Sequence, residues 1–134
     1  VTATGRFVLL HDPSGQEGWG GHYRCVTFIR SSIDSDMAAD PVLVELGWSF
    51  LMDSLAKQDA KFTSPSGTVT KVSSASFGSL EGQVESNELE IRASWTAIIK
   101  SGEELVAHLE AWCNLLAEIS YLMPVPDGVA SFRR

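Results

Sequence analysis

The order of predicted strands and helices is the feature that most constrains the fold of this chain. Two strands followed by an amphipathic helix are predicted twice in succession, over residues 5–10, 22–32 and 40–58 and then over 67–78, 88–99 and 101–122. The strand segments are rich in β-branched and aromatic residues, and Gly, Pro and Ser separate them. Neither helix can bury its apolar stripe alone, so the sequence predicts an α+β two-layer sandwich. In this fold, an antiparallel sheet of four or five strands carries both helices on one face.

Capping signals and apolar stripes define the two helices. Asp40 is a suitable N-cap and Pro41 suits the first helical position, while Ser101 and Glu104 form a capping box before the second helix. The apolar stripe predicted for the first helix consists of Val44, Trp48, Leu51, Met52 and Leu55. The stripe predicted for the second consists of Leu105, Val106, Leu109, Trp112, Leu116 and Ile119.

The second half of the chain resembles the first. A shift of 64 residues places Trp48 on Trp112 and aligns the two apolar stripes. This indicates a possible duplicated ββα unit, although any two amphipathic helices can be aligned in this way by chance. We predict a single domain over 1–134 with possible repeats over 1–66 and 67–122 and an irregular tail over 123–134. The chain begins at Val1 and not at Met, so we expect the full-length protein to have a further N-terminal segment.

Composition and charge exclude several classes of function. The chain has 134 residues, of which 44% are hydrophobic and 20% charged, as expected of a globular domain. Its formal net charge of −7 opposes direct binding to nucleic acid or to an anionic membrane surface. No apolar run approaches the roughly 18 residues that span a bilayer, so we expect no membrane insertion. Cys25 and Cys113 lie in apolar segments, which predicts two buried free thiols in a reducing cytoplasm and leaves a disulfide between them as the alternative.

The second predicted strand is apolar on both of its faces. Arg24, Val26, Phe28 and Arg30 alternate with Tyr23, Cys25, Thr27 and Ile29, and each set contains bulky apolar side chains. An antiparallel strand with one face in water usually alternates more cleanly. We therefore expect the face away from the helices to be covered by a second copy, by the absent N-terminal segment or by another protein. The alternative is that Val26 and Phe28 are two isolated exposed apolar residues.

Basic residues concentrate on the predicted strands. These are Arg6, Arg24, Arg30, Lys71 and Arg92, whereas most acidic residues lie on helices and loops. A locally basic sheet face could hold an anionic ligand or an acidic partner despite the negative net charge. Alternatively, these arginines pair with neighbouring acids such as Glu90.

The segment between the first two strands contains the only cluster of candidate chemical groups. His11, Asp12, His22 and Cys25 could in principle bind zinc, but their spacing matches no common structural zinc pattern. No phosphate loop, nucleophile elbow or zinc-protease motif occurs, so we expect no metal and no cofactor. The segment is best interpreted as a hairpin loop that turns at Pro13 and Gly15. Elsewhere, His108 is expected at the protein surface or at the boundary of the core.

Several blocks of the sequence carry a family resemblance. The blocks are TGRFVLLHDPSGQEGWGGHYRCVTFIR, MAADPVLVELGWSFLMDSL, GTVTKVSSASFG, ELEIRASWT and HLEAWCNLL. Their order and spacing resemble the actinobacterial domain-of-unknown-function family numbered 3000, over nearly the whole chain. The resemblance implies a bacterial, cytoplasmic protein that is preceded by a further helical stretch. It transfers no activity, ligand or catalytic residue.

Two functions remain open at this point. The first is a non-enzymatic interaction or adaptor domain that acts as a homodimer or holds another protein on its sheet face, through Trp19, Arg24, Val26, Phe28 and Arg30. The alternative is a small-ligand-binding protein or an enzyme with a site near the 11–24 hairpin, formed by His11, Asp12, His22 and Arg24. The first is favoured because no catalytic constellation accompanies the two-sided apolar strand.

Overall fold

One antiparallel sheet and the helices packed on it form the protein. The structure is a computed structural model that describes residues 3–80 and 86–120. Its strands are β1 (Ala3–Gln16), β2 (Gly21–Ser32), β3 (Phe62–Ser74) and β4 (Ser86–Ala97). Its helices are α1 (Ser35–Ala39), α2 (Leu43–Lys57) and α3 (Gly102–Ser120), with a single 3-10 turn over Gly78–Leu80. The predicted α+β sandwich is confirmed, whereas the predicted tail over 123–134 lies outside the described residues.

The sheet order is β1-β2-β4-β3, with every neighbouring pair antiparallel. The two hairpins therefore meet through β2 and β4, while β1 and β3 form the two edges. Helix α2 packs mainly on β3 and α3 packs mainly on β1, and the two helices also contact each other. Helix α2 follows the β1–β2 hairpin in the sequence but covers the edge strand of the β3–β4 hairpin, and α3 follows the β3–β4 hairpin but covers the edge strand of the β1–β2 hairpin.

The core lies between the helices and one face of the sheet. Alternate side chains of the two central strands point into it, among them Cys25, Ile29, Leu89, Ile91, Ala93 and Trp95. The helices contribute the fully buried residues Leu43, Leu51, Leu55, Ala111, Leu115 and Ile119. Burial raises the pKa of the Cys25 thiol to about 12, so this thiol is inert at neutral pH.

A glycine on each edge strand makes room for the tryptophan of the helix above it. A Cβ on Gly5 would lie 2.8 Å from the Trp112 ring. A Cβ on Gly67 would lie 2.9 Å from the Trp48 ring and 2.5 Å from the carbonyl oxygen of Arg92. The same device therefore occurs at both edges of the sheet. The duplication of a ββα unit stays a prediction, and this shared packing is the structural feature that it would explain.

Two predicted boundaries are wrong at the start of α2 and in the first hairpin. Helix α2 begins at Leu43, because Asp40 instead ends the short helix α1 and its carboxylate accepts a hydrogen bond from the Val42 backbone nitrogen at 3.0 Å. Strand β1 continues to Gln16 through an irregular register between His11 and Gln16, so the turn lies at residues 17–20 and not at Pro13 and Gly15. The predicted long loop is therefore mostly strand.

The buried stripe of α3 is also displaced from the predicted one. Val106 and Leu109 are exposed, and His108 is fully buried rather than at the surface. Cys113 is exposed, whereas Cys25 is buried, and neither forms a disulfide. The prediction of two buried thiols is therefore wrong for Cys113. The apolar content of α3 exceeds what its core-facing side can hold, which is why periodicity alone misplaced the stripe.

His108 forms a hydrogen bond inside the core. The Trp95 indole nitrogen donates to His108 Nδ1 at 3.0 Å, while His108 Nε2 has no hydrogen-bond partner among the described residues. Burial lowers the pKa of His108, and the Lys61 backbone and the Glu104 carboxylate oppose this effect more weakly. The neutral imidazole is therefore the form that the folded protein favours.

This arrangement predicts a loss of stability in mild acid. In the unfolded chain His108 has a pKa of about 6.5, so the unfolded state takes up a proton before the folded state does. The unfolding free energy should therefore fall as the pH drops below about 6.5 and continue to fall until the folded pKa is reached. Denaturant titrations between about pH 7.5 and about pH 5.5 would measure it. His108→Gln should remove this part of the slope, and an equal slope in both proteins would contradict the prediction.

Candidate functional site

The sheet face opposite the helices, here called the helix-free face, includes three neighbouring rows of cross-strand residues beside the row that contains Arg30. The first row is Arg6, Phe28, Arg92 and Thr68. The second row is Val8, Val26, Ser94 and Ser66. The third row is Leu10, Arg24, Thr96 and Thr63. Apolar side chains therefore gather over β1 and β2, and hydroxyl side chains gather over β4 and β3.

The apolar half of this face is accessible. Val8, Leu10 and Val26 are 41%, 42% and 36% exposed. The Phe28 ring carries the guanidinium carbon of Arg92 at 5.0 Å from its centroid, which is cation–π distance. Val8 pairs with Val26 and Leu10 pairs with the neighbouring Arg24, so these exposed aliphatic side chains form one contiguous patch rather than isolated exposed residues.

Arg24 is a buried cation held by neutral oxygen atoms. The residue is 9% exposed. Its Nη1 donates to the Ser64 carbonyl oxygen and to Thr96 Oγ1, each at 2.8 Å. Its Nη2 donates to Ser94 Oγ at 2.9 Å and to Ser66 Oγ at 3.2 Å. None of the acids in residues 3–80 and 86–120 forms an ion pair with it.

The backbone around Arg24 is shaped to supply these acceptors. Strand β3 changes register between Thr63 and Ser66, and Ser64 within this irregularity has a φ of 55°. A non-glycine residue in the left-handed region costs of order 1 kcal/mol, so surrounding contacts must hold it there. One of those contacts is the bond from Arg24 to the Ser64 carbonyl. Thr96 extends the network, because its hydroxyl donates to the Trp19 carbonyl oxygen in the β1–β2 turn.

A shallow depression of about 420 Å³ lies beside the Arg24 network. Its apolar side is formed by Val8, Val26 and Phe28, and its polar side by Ser66 and Ser94. Arg6 and Arg92 also line it. Such a volume suits a side chain or a small molecule with one apolar part and one polar part.

The arginines of the helix-free face differ in how their charge is balanced. Arg30 forms a salt bridge with Glu88 at 2.6 Å, and Arg92 forms one with Glu90 at 3.4 Å. In the part of the chain that the structure describes, Arg6 and Arg24 have no carboxylate partner. Two arginines therefore pair with acids, as one alternative predicted, and two leave the face locally positive; that this face holds an anionic ligand or an acidic partner stays a prediction.

The residues of the alternative hairpin site do not converge. The His11 ring stacks on Tyr23 with centroids 4.4 Å apart. His22 Nδ1 lies 3.2 Å from the Asp12 carbonyl oxygen, whereas the Asp12 carboxylate accepts from the Ser14 backbone and the Gln16 side chain. Arg24 reaches toward β4 and β3, away from the other three. No group of three or more His, Cys, Asp or Glu residues that could hold a metal occurs among the described residues.

The residues predicted for the partner surface lie close together. Arg24, Val26, Phe28 and Arg30 all lie on the helix-free face, and Trp19 adjoins them through its carbonyl bond to Thr96. Lys71 lies on the other face, because it pairs with the buried Leu89.

The site residues that the sequence did not reveal are Ser66, Ser94 and Thr96, and Arg6 was only one of several strand arginines. The signal for this site is a set of hydroxyl residues that lie opposite an arginine on adjacent strands. That signal can be recognised only when the order of the strands in the sheet is known.

Comparison with known proteins assigns the chain to a family. The matching family is described as "Protein of unknown function (DUF3000)", and the match covers residues 1–130. The chain belongs to the DUF3000 family. No curated protein and no solved structure matches this DUF3000 chain. None of the helices described for it is long and apolar enough to cross a membrane.

Proposed function

We propose that this DUF3000 protein is a non-enzymatic interaction module that binds another protein through its helix-free face. The observation that carries the proposal is the joining of an accessible apolar patch with two arginines that lack carboxylate partners among the described residues. Apolar area supplies affinity in such a surface, and unpaired charge selects the partner.

Charge complementarity supports an acidic, amphipathic surface of a different protein as the occupant. A second copy docked face to face would bring two identical, locally positive faces together. Such like-charge contacts oppose association. A partner with carboxylates beside apolar side chains would instead satisfy both halves of the face. The net charge of the chain is −7, so an acidic partner would bind only through this locally basic face.

We further propose that the protein works in the bacterial cytoplasm, as its actinobacterial resemblance implies. The unbonded state of Cys25 and Cys113 supports this, because free thiols persist in reducing compartments.

Site-specific photo-cross-linking in the producing cells tests the interaction. A benzophenone amino acid at Val26 should give an adduct with another protein, because Val26 lies in the middle of the apolar patch. The same amino acid at Val106, an exposed valine on α3, is the matched control and should give none. Phe28→Asp should lower the Val26 adduct yield about tenfold, which corresponds to about 1.4 kcal/mol of binding free energy.

The mass of the adduct decides among the outcomes. An adduct of the chain with itself would contradict the acidic-partner proposal and favour a homodimer. Equal yields from Val26 and Val106, or no adduct at Val26, would contradict an interaction through the helix-free face.

A further inference from the structure

The hydroxyl groups around Arg24 have fixed hydrogen-bonding roles. A guanidinium has only donors, so Ser66 and Ser94 must both accept from it through their oxygens. Each hydroxyl then still has its own proton to donate. Their oxygens lie 3.4 Å apart, so one of them can donate weakly to the other, but the second cannot return the bond. At least one O–H is therefore left without an acceptor in the described structure.

That free donor faces the depression, because Ser66 and Ser94 line it. Arg24 polarises the hydroxyls that accept from it, which makes them better donors. The polarised hydroxyls thus extend the positive potential of Arg24 to the surface of the depression, although the guanidinium itself is buried. Arg6 adds positive charge at the same depression, whereas the charge of Arg92 is balanced by Glu90.

We propose that this depression is a carboxylate-binding site that receives an Asp or Glu side chain of the partner protein. The Ser66 and Ser94 hydroxyls would donate to the carboxylate, and Arg6 would pair with it. The methylene groups of the same side chain, or an apolar neighbour, would pack on Val8 and Val26. A carboxylate has only acceptors, which match the donors of Ser66, Ser94 and Arg6. This inference rests on the proposed function, since it names the anchor by which the partner is held.

NMR titration with a minimal ligand pair tests the site. The ligands are 3-phenylpropionate and its neutral isostere 3-phenylpropionamide, which share the apolar part and differ in charge. We expect saturable shifts of the Val26, Ser66 and Ser94 amide signals with the carboxylate and at least tenfold weaker binding of the amide. Equal binding of both would show an apolar pocket only, and no binding of the carboxylate up to its solubility limit would overturn the inference.

Variants separate a specific site from general electrostatics. Arg6→Glu should weaken 3-phenylpropionate binding about tenfold, whereas Lys71→Glu, the same charge change on the helix-bearing face, should leave it unchanged. Ser94→Ala should also weaken 3-phenylpropionate binding several-fold. If the Ser94→Ala variant is poorly folded, Arg6→Glu still tests the site. Equal effects of Arg6→Glu and Lys71→Glu would overturn the site.

An acetylated, amidated peptide with one Glu between two Val residues distinguishes a protein carboxylate from a small-molecule one. The peptide should bind more tightly than 3-phenylpropionate, and its Gln counterpart should not bind. Tighter binding of the free acid would overturn the assignment to a partner protein. If the Val26 adduct forms while these titrations fail, only the carboxylate inference falls. If the titrations succeed without an adduct, the proposed function falls and a carboxylate site remains.

Discussion

Replacing Trp95 with alanine is expected to lower the free energy of unfolding by about 4 kcal/mol, the largest effect of any change considered for this protein. Trp95 is fully buried near the C-terminal end of β4, and its ring lies against Phe7 with centroids 6.2 Å apart. Alanine would open a large cavity and leave His108 Nδ1 without its donor. Denaturant unfolding monitored by circular dichroism would measure the loss.

Trp95→Phe separates the cavity from the hydrogen bond. It keeps most of the ring but removes the indole donor, so about 1–2 kcal/mol of the loss should remain. His108→Leu removes the acceptor, and in that background Trp95→Phe should cost less than it does alone. Equal costs in the two backgrounds would show that the Trp95–His108 bond contributes nothing. A loss below about 1 kcal/mol for Trp95→Ala would contradict the described core.

The fold could be predicted because its main determinants are local. Alternation of Leu89, Ile91, Ala93 and Trp95 defines a strand with one buried face, and capping residues and apolar stripes define the helices. These signals depend on neighbours a few residues apart. The boundary at Asp40 was wrong because the same residue can cap a helix or close a turn, and the sequence does not distinguish the two.

The burial of His108 and the exposure of Cys113 depend on longer-range packing. Both lie on α3, whose apolar residues surround much of its circumference. Which side meets the sheet is decided by Trp95 and by the contact with α2, and neither is visible in helical periodicity. A polar residue can be buried where the core offers it a single hydrogen-bond partner, and the composition of the helix does not reveal whether such a partner is present.

The candidate site was predictable only in part for the same reason. Alternation placed Arg24, Val26 and Phe28 on one face from the sequence alone. The acceptors of Arg24 come from β3 and β4, some 40 to 72 positions along the chain. Only the sheet order β1-β2-β4-β3 brings these strands beside β2. The chemistry of the site is therefore a property of topology rather than of any local motif.

Thr96→Val is expected to destabilise the protein by about 2–3 kcal/mol, although it barely changes the shape of the side chain. The Thr96 hydroxyl accepts from Arg24 and donates to the Trp19 carbonyl oxygen, so its loss leaves one N–H of the Arg24 guanidinium and a backbone acceptor unpaired. Because the Trp19 carbonyl lies in the β1–β2 turn, hydrogen exchange at residues 17–20 should also become faster. Denaturant unfolding and amide exchange would measure the two effects.

Two comparisons identify the cause of that loss. Thr96→Ser keeps the hydroxyl and should cost about 1 kcal/mol or less. Breaking one partner of a buried charge costs more than removing the charge as well, so Thr96→Val should be less harmful in an Arg24→Met background. If the cost of Thr96→Val is the same with and without Arg24, the threonine acts through the turn alone. The burial of Arg24 would then not depend on Thr96. Packing, rather than the need to stabilise a charge beside the proposed carboxylate site, would then explain why hydroxyl groups surround Arg24.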